Sequence, residues 1–464
     1  MASPSVWGPE TADVPSRTVA GTIDPTWWRS FNDPELVSLV DRLVAQNLDL
    51  QTAAERIIQG RAQRQVAAAQ GLPQISEQSS YLHERQSPTG FISLVQPAPY
   101  APLGYDIWQN GLSSSWELDL FGKVRRSVES ANAELQASVE NRRGIALSSL
   151  AELAQNYLQL RGVQTQIGVA ETNLALADQN NRLVHTRFAN GVANTLDLAQ
   201  AQSQLATVAA SLPTLRTQEA ALINAIGLLL AEPPRALDAE LRMPAALPAV
   251  PPVVPVGVPG SLVRRRPDVR EAEARLHAAT AQTGVAVADF YPDVSLTGAV
   301  NADGRIIADA FSLPSRAFQL GPQISIPLFR GGQLRGELRL RKSQQREAAL
   351  DFQKTVLQAW QDVDNALTAY AEAQRRHREI ADAARQNAVA LDAARQRYQQ
   401  GVADFLNVIS SQAQLLQSQN DLATSDTEID TDLVALYRAL GGGWEAAEEK
   451  ATRAPTGSGD QASR

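Results

Sequence analysis

One segment of this chain occurs twice. The first copy, FANGVANTLDLAQAQSQL, begins at Phe188, and the second, YQQGVADFLNVISSQAQL, begins at Tyr398, 210 residues later. The glycine of the first copy, Gly191, recurs as Gly401, and nearby Val, Leu and Gln positions coincide as well. A single recurrence at nearly half the length of a 464-residue chain indicates a tandem duplication of a large unit rather than a short-period solenoid.

The duplication extends upstream of that segment. Trp116 pairs with Ile324 at an offset of 208, and NLDLQTAAERI, from Asn47, pairs with RPDVREAEARL at an offset of 219. Because the offset changes only between such blocks, insertions fall in the connections, chiefly between His83 and Gln109, as expected of surface loops. Each half therefore predicts a helix, two strands joined by a loop, a very long helix, a glycine turn and a returning helix.

These matches predict where the parts of the chain begin and end. An extended N-terminal segment (1–32) precedes a first repeat (33–244), a proline-rich link (245–260), a second repeat (261–440) and a C-terminal tail (441–464) that becomes disordered. In the first repeat we expect strands at about 73–85 and 108–121, a long helix at 123–190 and a returning helix at 192–230. In the second we expect strands at about 291–302 and 317–329, a long helix at 332–400 and a returning helix at 402–440.

Composition and motifs exclude several classes of protein. A formal net charge of −8 argues against a surface that binds nucleic acid. The sequence has no cysteine, which excludes disulfides, thiolate catalysis and zinc sites built on cysteine. Its four histidines are scattered, none of them in an HExxH pair or beside a motif serine, and no P-loop motif occurs. We therefore predict no catalytic residue, no metal site, no cofactor and no enzymatic activity.

The sequence contains no stretch that approaches the roughly 18 apolar residues of a membrane-spanning helix. A soluble protein and a β-barrel membrane protein both remain open at this point, because alternating barrel strands give a weak hydropathy signal. The N-terminus, MASPSVWGPE, lacks a basic region followed by an apolar core. A secretion signal is therefore either absent or already removed.

Two long proline-free segments predict the helices. From Lys123 to Asn190, and again from about 332 to 400, apolar residues recur at spacings of three and four. At 1.5 Å per residue each helix would be roughly 100 Å long, which is deeper than any globular core. Such helices must pack side by side as coiled coils. An ordinary coiled-coil rod is the alternative interpretation of these segments alone.

The strand segments alternate between apolar and polar residues. In the first half Leu112, Trp116 and Leu120 share one face, while Glu117 and Asp119 share the other. This period of two indicates a strand with apolar material on one side and water on the other, which a half-buried sheet of a soluble protein would also show. Four strands cannot close a barrel, so closure requires oligomerisation, and three protomers would give a barrel of 12 strands.

Eight short sequence blocks resemble those of a known family and occur in the order found in that family. They are TWWRSFNDPEL, NLDLQTAAERI, AAAQGLPQI, WELDLFGKVRR, LVRRRPDVREAEARL, SIPLFRGG, RYQQGVADFLNV and ALYRALGGGW. Together they are similar to the TolC/OprM outer-membrane efflux family, and in particular to its NodT-type lipoprotein branch. The resemblance covers the chain from about Trp27 to Trp444.

The resemblance implies a mixed α+β membrane protein. Members form a homotrimer whose 12-stranded barrel crosses the Gram-negative outer membrane and continues into a periplasmic barrel of 12 helices. An equatorial domain would comprise the link 245–260 and the stretch after Gly441. The expected function is that of a passive exit duct for drugs or other small molecules. Expected partners are an inner-membrane RND transporter, a periplasmic adaptor and outer-membrane lipid.

The resemblance also implies a periplasmic gate at the second glycine turn. Leu406 and Tyr398 match gate positions of the family, whereas Asn407 and Ser410 occupy positions where relatives carry an aspartate. In relatives these aspartates form an acidic ring around the aperture. Here Asp404 or Asp197 could take the place of that ring, and the alternative is that both are solvated residues of a helix turn. Other positions match the adaptor-contacting tips, namely Gly191, Val192, Gly401 and Val402, and the barrel lumen, namely Glu117 and Asp119.

Lipoprotein members begin with an acylated cysteine, which this sequence lacks. We expect an N-terminal lipid on the native mature chain, with Met1 and Ala2 standing here in place of the lipidation signal. A type I protein-secretion duct of the same fold and a soluble coiled-coil scaffold are the alternative functions. The RRRPD and GGGW blocks favour efflux over secretion by resemblance alone.

Overall fold

A computed structural model describes residues 14–87, 104–446 and 448 of the chain. The described residues form two compact units. One comprises residues 14–56, 139–271, 353–446 and 448, and the other comprises residues 57–87, 104–138 and 272–352. The expected lipid attachment and most of the predicted C-terminal tail lie outside the described residues.

The secondary structure follows the predicted order of elements. The strands are β1 (Arg17–Val19), β2 (Gln74–Arg85), β3 (Gly104–Glu117), β4 (Val253–Pro255), β5 (Asp293–Gly304) and β6 (Arg316–Ser325). The helices are α1 (Pro34–Gln46), α2 (Leu48–Ala69), α3 (Lys123–Ala189), α4 (Thr195–Leu229), α5 (Asp238–Leu241), α6 (Pro259–Arg265), α7 (Pro267–Ala288), α8 (Gln333–Gln399) and α9 (Phe405–Ala439). Short 3-10 helices span Trp27–Phe31 and Asp309–Phe311.

Three pairs of corresponding helices in the two halves have equal lengths. Helices α3 and α8 have 67 residues each, and α4 and α9 have 35 each, with both pairs 210 positions apart. Helices α2 and α7 have 22 residues each and lie 219 positions apart. In the described part of the chain, no helix is long and apolar enough to cross a membrane.

Several boundaries differ from those predicted. The returning helices begin three residues later than expected, at Thr195 and Phe405, because Asn194 and Asp404 occupy their N-cap positions. Strand β6 ends at Ser325, opposite Asp293, where its partner β5 begins. The predicted insertion between His83 and Gln109 is shorter, since β2 and β3 pair as far as Arg85 and Gly104.

Strand β3 ends at Glu117 rather than at 121, which corrects the assignment of Asp119. The Asp119 carboxylate accepts hydrogen bonds from the backbone N–H of Val124, at 3.1 Å, and of Arg125, at 2.9 Å. A carboxylate that satisfies the first free N–H groups of α3 holds the start of that helix. Asp119 therefore caps a helix and is not a strand residue.

The smaller unit contains a four-stranded antiparallel sheet with the order β2-β3-β5-β6. Its register places Leu112 opposite Val300, and Val300 opposite Phe318, on one face. This apolar face is open to solvent in the single chain, with Phe318 84% exposed. The opposite face is polar, and there Glu117 pairs with Ser295. Strands β2 and β6 each have one edge without a strand partner among the described residues.

The larger unit is held together by a buried arginine from the RRRPD block. Arg266 forms a two-pronged salt bridge with Asp268, with distances of 3.0 and 2.7 Å, and a further one of 2.9 Å with Asp362. It also donates to the carbonyl oxygen of Ala439 at the end of α9, at 3.1 Å. Gly441 follows with φ +72°, where an added Cβ would lie 2.9 Å from Arg266 Cγ. The chain therefore needs glycine to pass this side chain.

The RRRPD and GGGW blocks meet the N-terminal TWW block in the same core. Trp27 Nε1 donates to the carbonyl oxygen of Gly442 at 3.0 Å, and its ring stacks on Tyr437 at a centroid distance of 5.0 Å. Parallel pairing of β1 with β4 joins the N-terminal segment to the proline-rich link. Burial in the same core raises the pKa of the Asp430 carboxyl to about 8, with a smaller contribution from repulsion by the Asp426 carboxylate.

Replacing Gly162 by alanine should destabilise the protein. An added Cβ on Gly162, in α3, would overlap Thr427 Oγ1 in α9 and would lie 2.9 Å from Thr427 Cγ2. Overpacking of this kind costs about 1–3 kcal/mol, which exceeds the roughly 1 kcal/mol that alanine gains over glycine inside a helix. Thermal unfolding of the purified protein should therefore shift to lower temperature.

The matched control is Gly168→Ala. Gly168 lies in the same helix, and a Cβ added there would meet nothing within 4 Å. This substitution should raise the unfolding temperature slightly, because only the helix propensity changes. Equal effects of the two substitutions would contradict a close approach of α3 and α9 at Gly162.

Candidate functional site at the two glycine turns

The two glycine turns of the duplicated segment lie together at one end of the larger unit. A separate apolar cluster joins α3, α4, α8 and α9 at this end, and we call this region the tip. Its buried members are Val184, Ala201, Leu391, Tyr398, Phe405, Val408 and Leu415. The structure therefore brings the recurring segment of each half into one site.

Both turns have the same backbone geometry. Gly191 and Gly401 adopt φ +72° and +74° and donate to the carbonyl oxygens of Phe188 and Tyr398. These bonds are those of a helix C-terminus that ends in a residue with left-handed backbone conformation, a position that favours glycine. A Cβ added at either position would meet nothing within 4 Å, so the backbone conformation alone accounts for glycine. Val192 and Val402, the next residues, are exposed.

The two candidate acids differ in their surroundings. Asp197 forms a capping box with Asn194, in which Asp197 N–H donates to Asn194 Oδ1 at 2.9 Å and Asn194 N–H donates to Asp197 Oδ2 at 3.4 Å. Asp404 occupies the N-cap of α9, is exposed and makes no side-chain capping bond. The Asp197 carboxylate therefore has a local structural role that the Asp404 carboxylate lacks.

Tyr398 belongs to the buried core of the tip. Its ring centroid lies 5.2 Å from that of Phe405, so the last turn of α8 packs on the first turn of α9. Arg187, from α3, places its guanidinium carbon 4.5 Å from the Tyr398 ring centroid. Arg187 Nη1 also donates to the Tyr398 carbonyl oxygen at 3.2 Å. A cation over an aromatic face together with a hydrogen bond ties the first turn to the second.

Our sequence analysis did not identify Arg187 as a site residue. A signal was present, because an arginine precedes the aromatic residue of the turn in both copies, as Arg187 and Arg397. Only the fold distinguishes them, since Arg397 is exposed and Arg187 is half-buried against Tyr398.

Three predicted gate residues share the exposed face of α9. Leu406 is 56% exposed, although its neighbours Phe405 and Val408 are buried. Asn407 and Ser410 are also exposed, and the Ser410 hydroxyl donates to the Asn407 carbonyl oxygen at 3.1 Å. An exposed leucine beside polar residues at helical spacing forms a surface that α9 does not bury within its own chain.

The remaining candidates lie elsewhere. Glu117 and Asp119 belong to the sheet-containing unit and not to the tip. Within the described ranges, no group of three or more His, Asp or Glu side chains could hold a metal ion. The site therefore offers packing surfaces and single charges.

Comparison with known proteins agrees with this architecture. The profile of the family described as outer membrane efflux protein matches residues 39–231 and 258–442, one stretch in each half. The chain is 30% identical over 453 residues to the pyoverdine export outer membrane protein OpmQ of Pseudomonas aeruginosa, covering 96% of this chain and 92% of that protein. It is 30% identical over 418 residues to nodulation protein T of Rhizobium leguminosarum bv. trifolii, covering 90% and 88%. Among solved structures, the outer-membrane channel OprN matches with a TM-score of 0.87 at 33% identity, over 95% of this chain and 97% of that chain.

The fold, the tip and these similarities define an outer-membrane efflux channel with an α+β channel fold. The chain belongs to the outer membrane efflux protein family. It resides in the outer membrane, with its helical tunnel in the periplasm. The resemblance predicted from the sequence blocks is thereby confirmed. The relatives are channel or transport proteins rather than enzymes.

Arg187→Ala should loosen the tip. It removes a cation–π contact and a hydrogen bond, each worth about 0.5–1.5 kcal/mol. Amide hydrogen exchange at residues 190–194 and 400–404 should accelerate about tenfold. Arg397→Ala is the matched control in the second copy, and we expect no acceleration there because its side chain is exposed. Equal exchange in both variants would show that Arg187 does not hold the turns together.

Proposed function

We propose that this chain is the outer-membrane exit duct of a tripartite efflux pump and that three copies form the conducting assembly. The observation that carries this proposal is the sheet of the smaller unit. One of its faces is apolar and exposed, the other is polar, and both of its terminal strands have a free edge within the described residues.

A trimer would satisfy all three features of this sheet. Free edges of β2 and β6 pair readily with strands of other chains, and closure removes such edges altogether. Three protomers with four strands each would give a closed barrel of 12 strands, as the bilayer requires of strands that span it. The face with Phe318 and Leu320 would then contact lipid. Glu117, on the polar face, would line the lumen.

The tip supports a gate in the same assembly. Leu406 is exposed in one chain, and three copies around an axis would pack on each other and narrow the tunnel. In this arrangement Tyr398 would hold the inner helices in place from within the core, and Asn407 and Ser410 would follow Leu406 along the pore. The exposed turns, with Val192 next to Gly191 and Val402 next to Gly401, would offer small apolar contacts to the hairpins of a periplasmic adaptor.

Membership of the family supports a proposal for the wider assembly. We propose that an inner-membrane RND transporter loads the duct through the adaptor, and that the link 245–260 and the chain after Gly441 form the equatorial domain. Burial of Val254 in the link and the Trp27–Gly442 hydrogen bond support one shared core for these segments. Similar proteins are named for pyoverdine export and for toluene efflux, two chemically different small molecules. This favours a duct that conducts small molecules without selecting them chemically.

Leu406→Ala should widen the gate. In planar bilayers we expect small, flickering openings of the wild-type channel and larger conductance in the variant, because three leucine side chains would be shortened at the constriction. Leu196→Ala is the matched control, since Leu196 is the counterpart of Leu406 in the first copy and is 64% exposed. Equal conductance of wild type and Leu406→Ala would remove the gate assignment. A protein that forms no channel at all would refute the proposed function.

The same bilayers can test the two acids as replacements for the acidic ring. Three carboxylates around a narrow pore attract cations. Because Asp197 is engaged in a capping box, we expect any cation preference to weaken in Asp404→Asn and to persist in Asp197→Asn. Reversal potentials in a salt gradient measure this preference. A cation preference that persisted in the double variant would exclude both acids.

A further inference from the structure

Helices α3 and α9 are joined in the tip half by a row of amide side chains. Asn180 Nδ2 donates to Gln412 Oε1 at 2.6 Å, and Asn173 Nδ2 donates to Gln419 Oε1 at 2.8 Å. A third pair joins Gln166 Nε2 to a hydroxyl of α9, at 3.0 Å. We call these three pairs the amide seam.

The rungs of the amide seam occupy core positions of a coiled coil. On α3 they recur every seven residues, at 166, 173 and 180, and on α9 the two amide partners, 412 and 419, are also seven apart. Gln412 is 1% exposed and Asn173 is 2% exposed. Apolar residues fill the alternate core positions of α3, namely Ala170, Ala177 and Val184. Every second layer of this stretch is therefore polar, and each of the two amide–amide rungs pairs one fully buried amide, Asn173 or Gln412, with a half-buried one.

Buried amides of this kind set register more than they add stability. Asn173 Oδ1 and Gln412 Nε2 have no hydrogen-bond partner within the described residues, so the seam is only partly satisfied even in the observed register. A shift of α9 along α3 by one turn would separate every rung and bury the amides against alanine and valine. A polar residue at a coiled-coil core position is known to specify register at a cost in stability.

The seam is not a consequence of the duplication. With the offset of 210 that relates α3 to α8, Asn173 and Asn180 correspond to Ala383 and Ala390. With the same offset, Gln419 in α9 corresponds to Ala209 in α4. The counterpart helices therefore lack three of the four amides of the two amide–amide rungs. Only the pair that includes α9, the helix that begins beside Leu406, carries the complete set.

We propose that the amide seam fixes the axial register of α9 against α3 and thereby positions Leu406 in the gate. Its amides are positioning residues, because none of them is part of the constriction. The link to the gate rests on the proposed function, whereas the role in register does not. Two independent measurements therefore separate the two claims.

The first measurement is disulfide cross-linking in the printed sequence, which contains no cysteine. The rungs pair 173 with 419 and 180 with 412, so position 177 faces 415, and 418 lies one helical turn away. Ala177→Cys is combined with Leu415→Cys, in register, or with Ser418→Cys, one turn out of register, because disulfides form only over short Cα distances. The pairs are compared in the wild-type seam and in an apolar seam, Asn173→Leu/Asn180→Leu/Gln412→Leu/Gln419→Leu.

We expect the wild-type seam to cross-link only in register. In the apolar seam the out-of-register fraction should rise about tenfold or more, because a shifted chain no longer leaves amides unpaired. The exchanged pair Asn180→Gln/Gln412→Asn keeps one amide on each helix and is the conservative control, which should cross-link like wild type. Cross-linking confined to the native register in the apolar seam would overturn the register role.

The second measurement is single-channel conductance of the same seam variants without the cysteines. The apolar seam should spread the openings over several conductance levels without lowering the unfolding temperature, and the exchanged pair should restore the wild-type distribution. An out-of-register apolar seam with wild-type conductance would overturn the link to Leu406. If no variant conducts, the proposed function fails, and cross-linking still decides the register role.

Discussion

A single buried guanidinium connects the segments on which the larger unit depends. Arg266 is bound by carboxylates at the start of α7 and within α8, and it donates to the last turn of α9. A buried charge is tolerated only when it is paired and hydrogen-bonded to its neighbours. The bonds of Arg266 therefore permit little variation in where α7 begins and where α9 ends. Helix α9 then extends over 35 residues to the tip. The amide seam constrains the same helix a second time, near its other end.

The two halves have similar backbones but differ in the side chains at their glycine turns. The glycines of the two turns have nearly the same φ, and both long helices have the same length. Their side chains differ where the halves meet. The first turn supplies Arg187 and a capping box, and the second supplies the Tyr398–Phe405 core, an uncapped Asp404 and an exposed leucine. Duplication therefore provided a repeated scaffold, while substitutions at a few positions made one turn the support and the other the candidate constriction.

Much of the architecture could be predicted because it depends on local patterns. Helix length follows from proline-free heptads, strands from alternation, and the turns from glycine at one recurring position. Errors occurred where a boundary depends on a partner. Strand β6 ends where β5 begins, and Asp119 looks like a strand residue by alternation until its carboxylate is seen to bind the N–H groups of α3. Arg187 and Arg397 occupy equivalent positions of the repeat and cannot be distinguished from the sequence. Which of the two arginines contacts an aromatic ring depends on the packing of four helices.

The sequence by itself determined the duplication, the order of elements and the family. Each of these depends on the identity and spacing of residues that are close together in the chain, so it can be recognised without knowing the tertiary contacts. Only the tertiary structure decided which polar residues are buried together. Asn173 and Gln419 lie 246 positions apart, and nothing near either residue predicts the other. A hydrogen bond between them exists because two antiparallel helices meet in one register, and that register is a property of the folded chain.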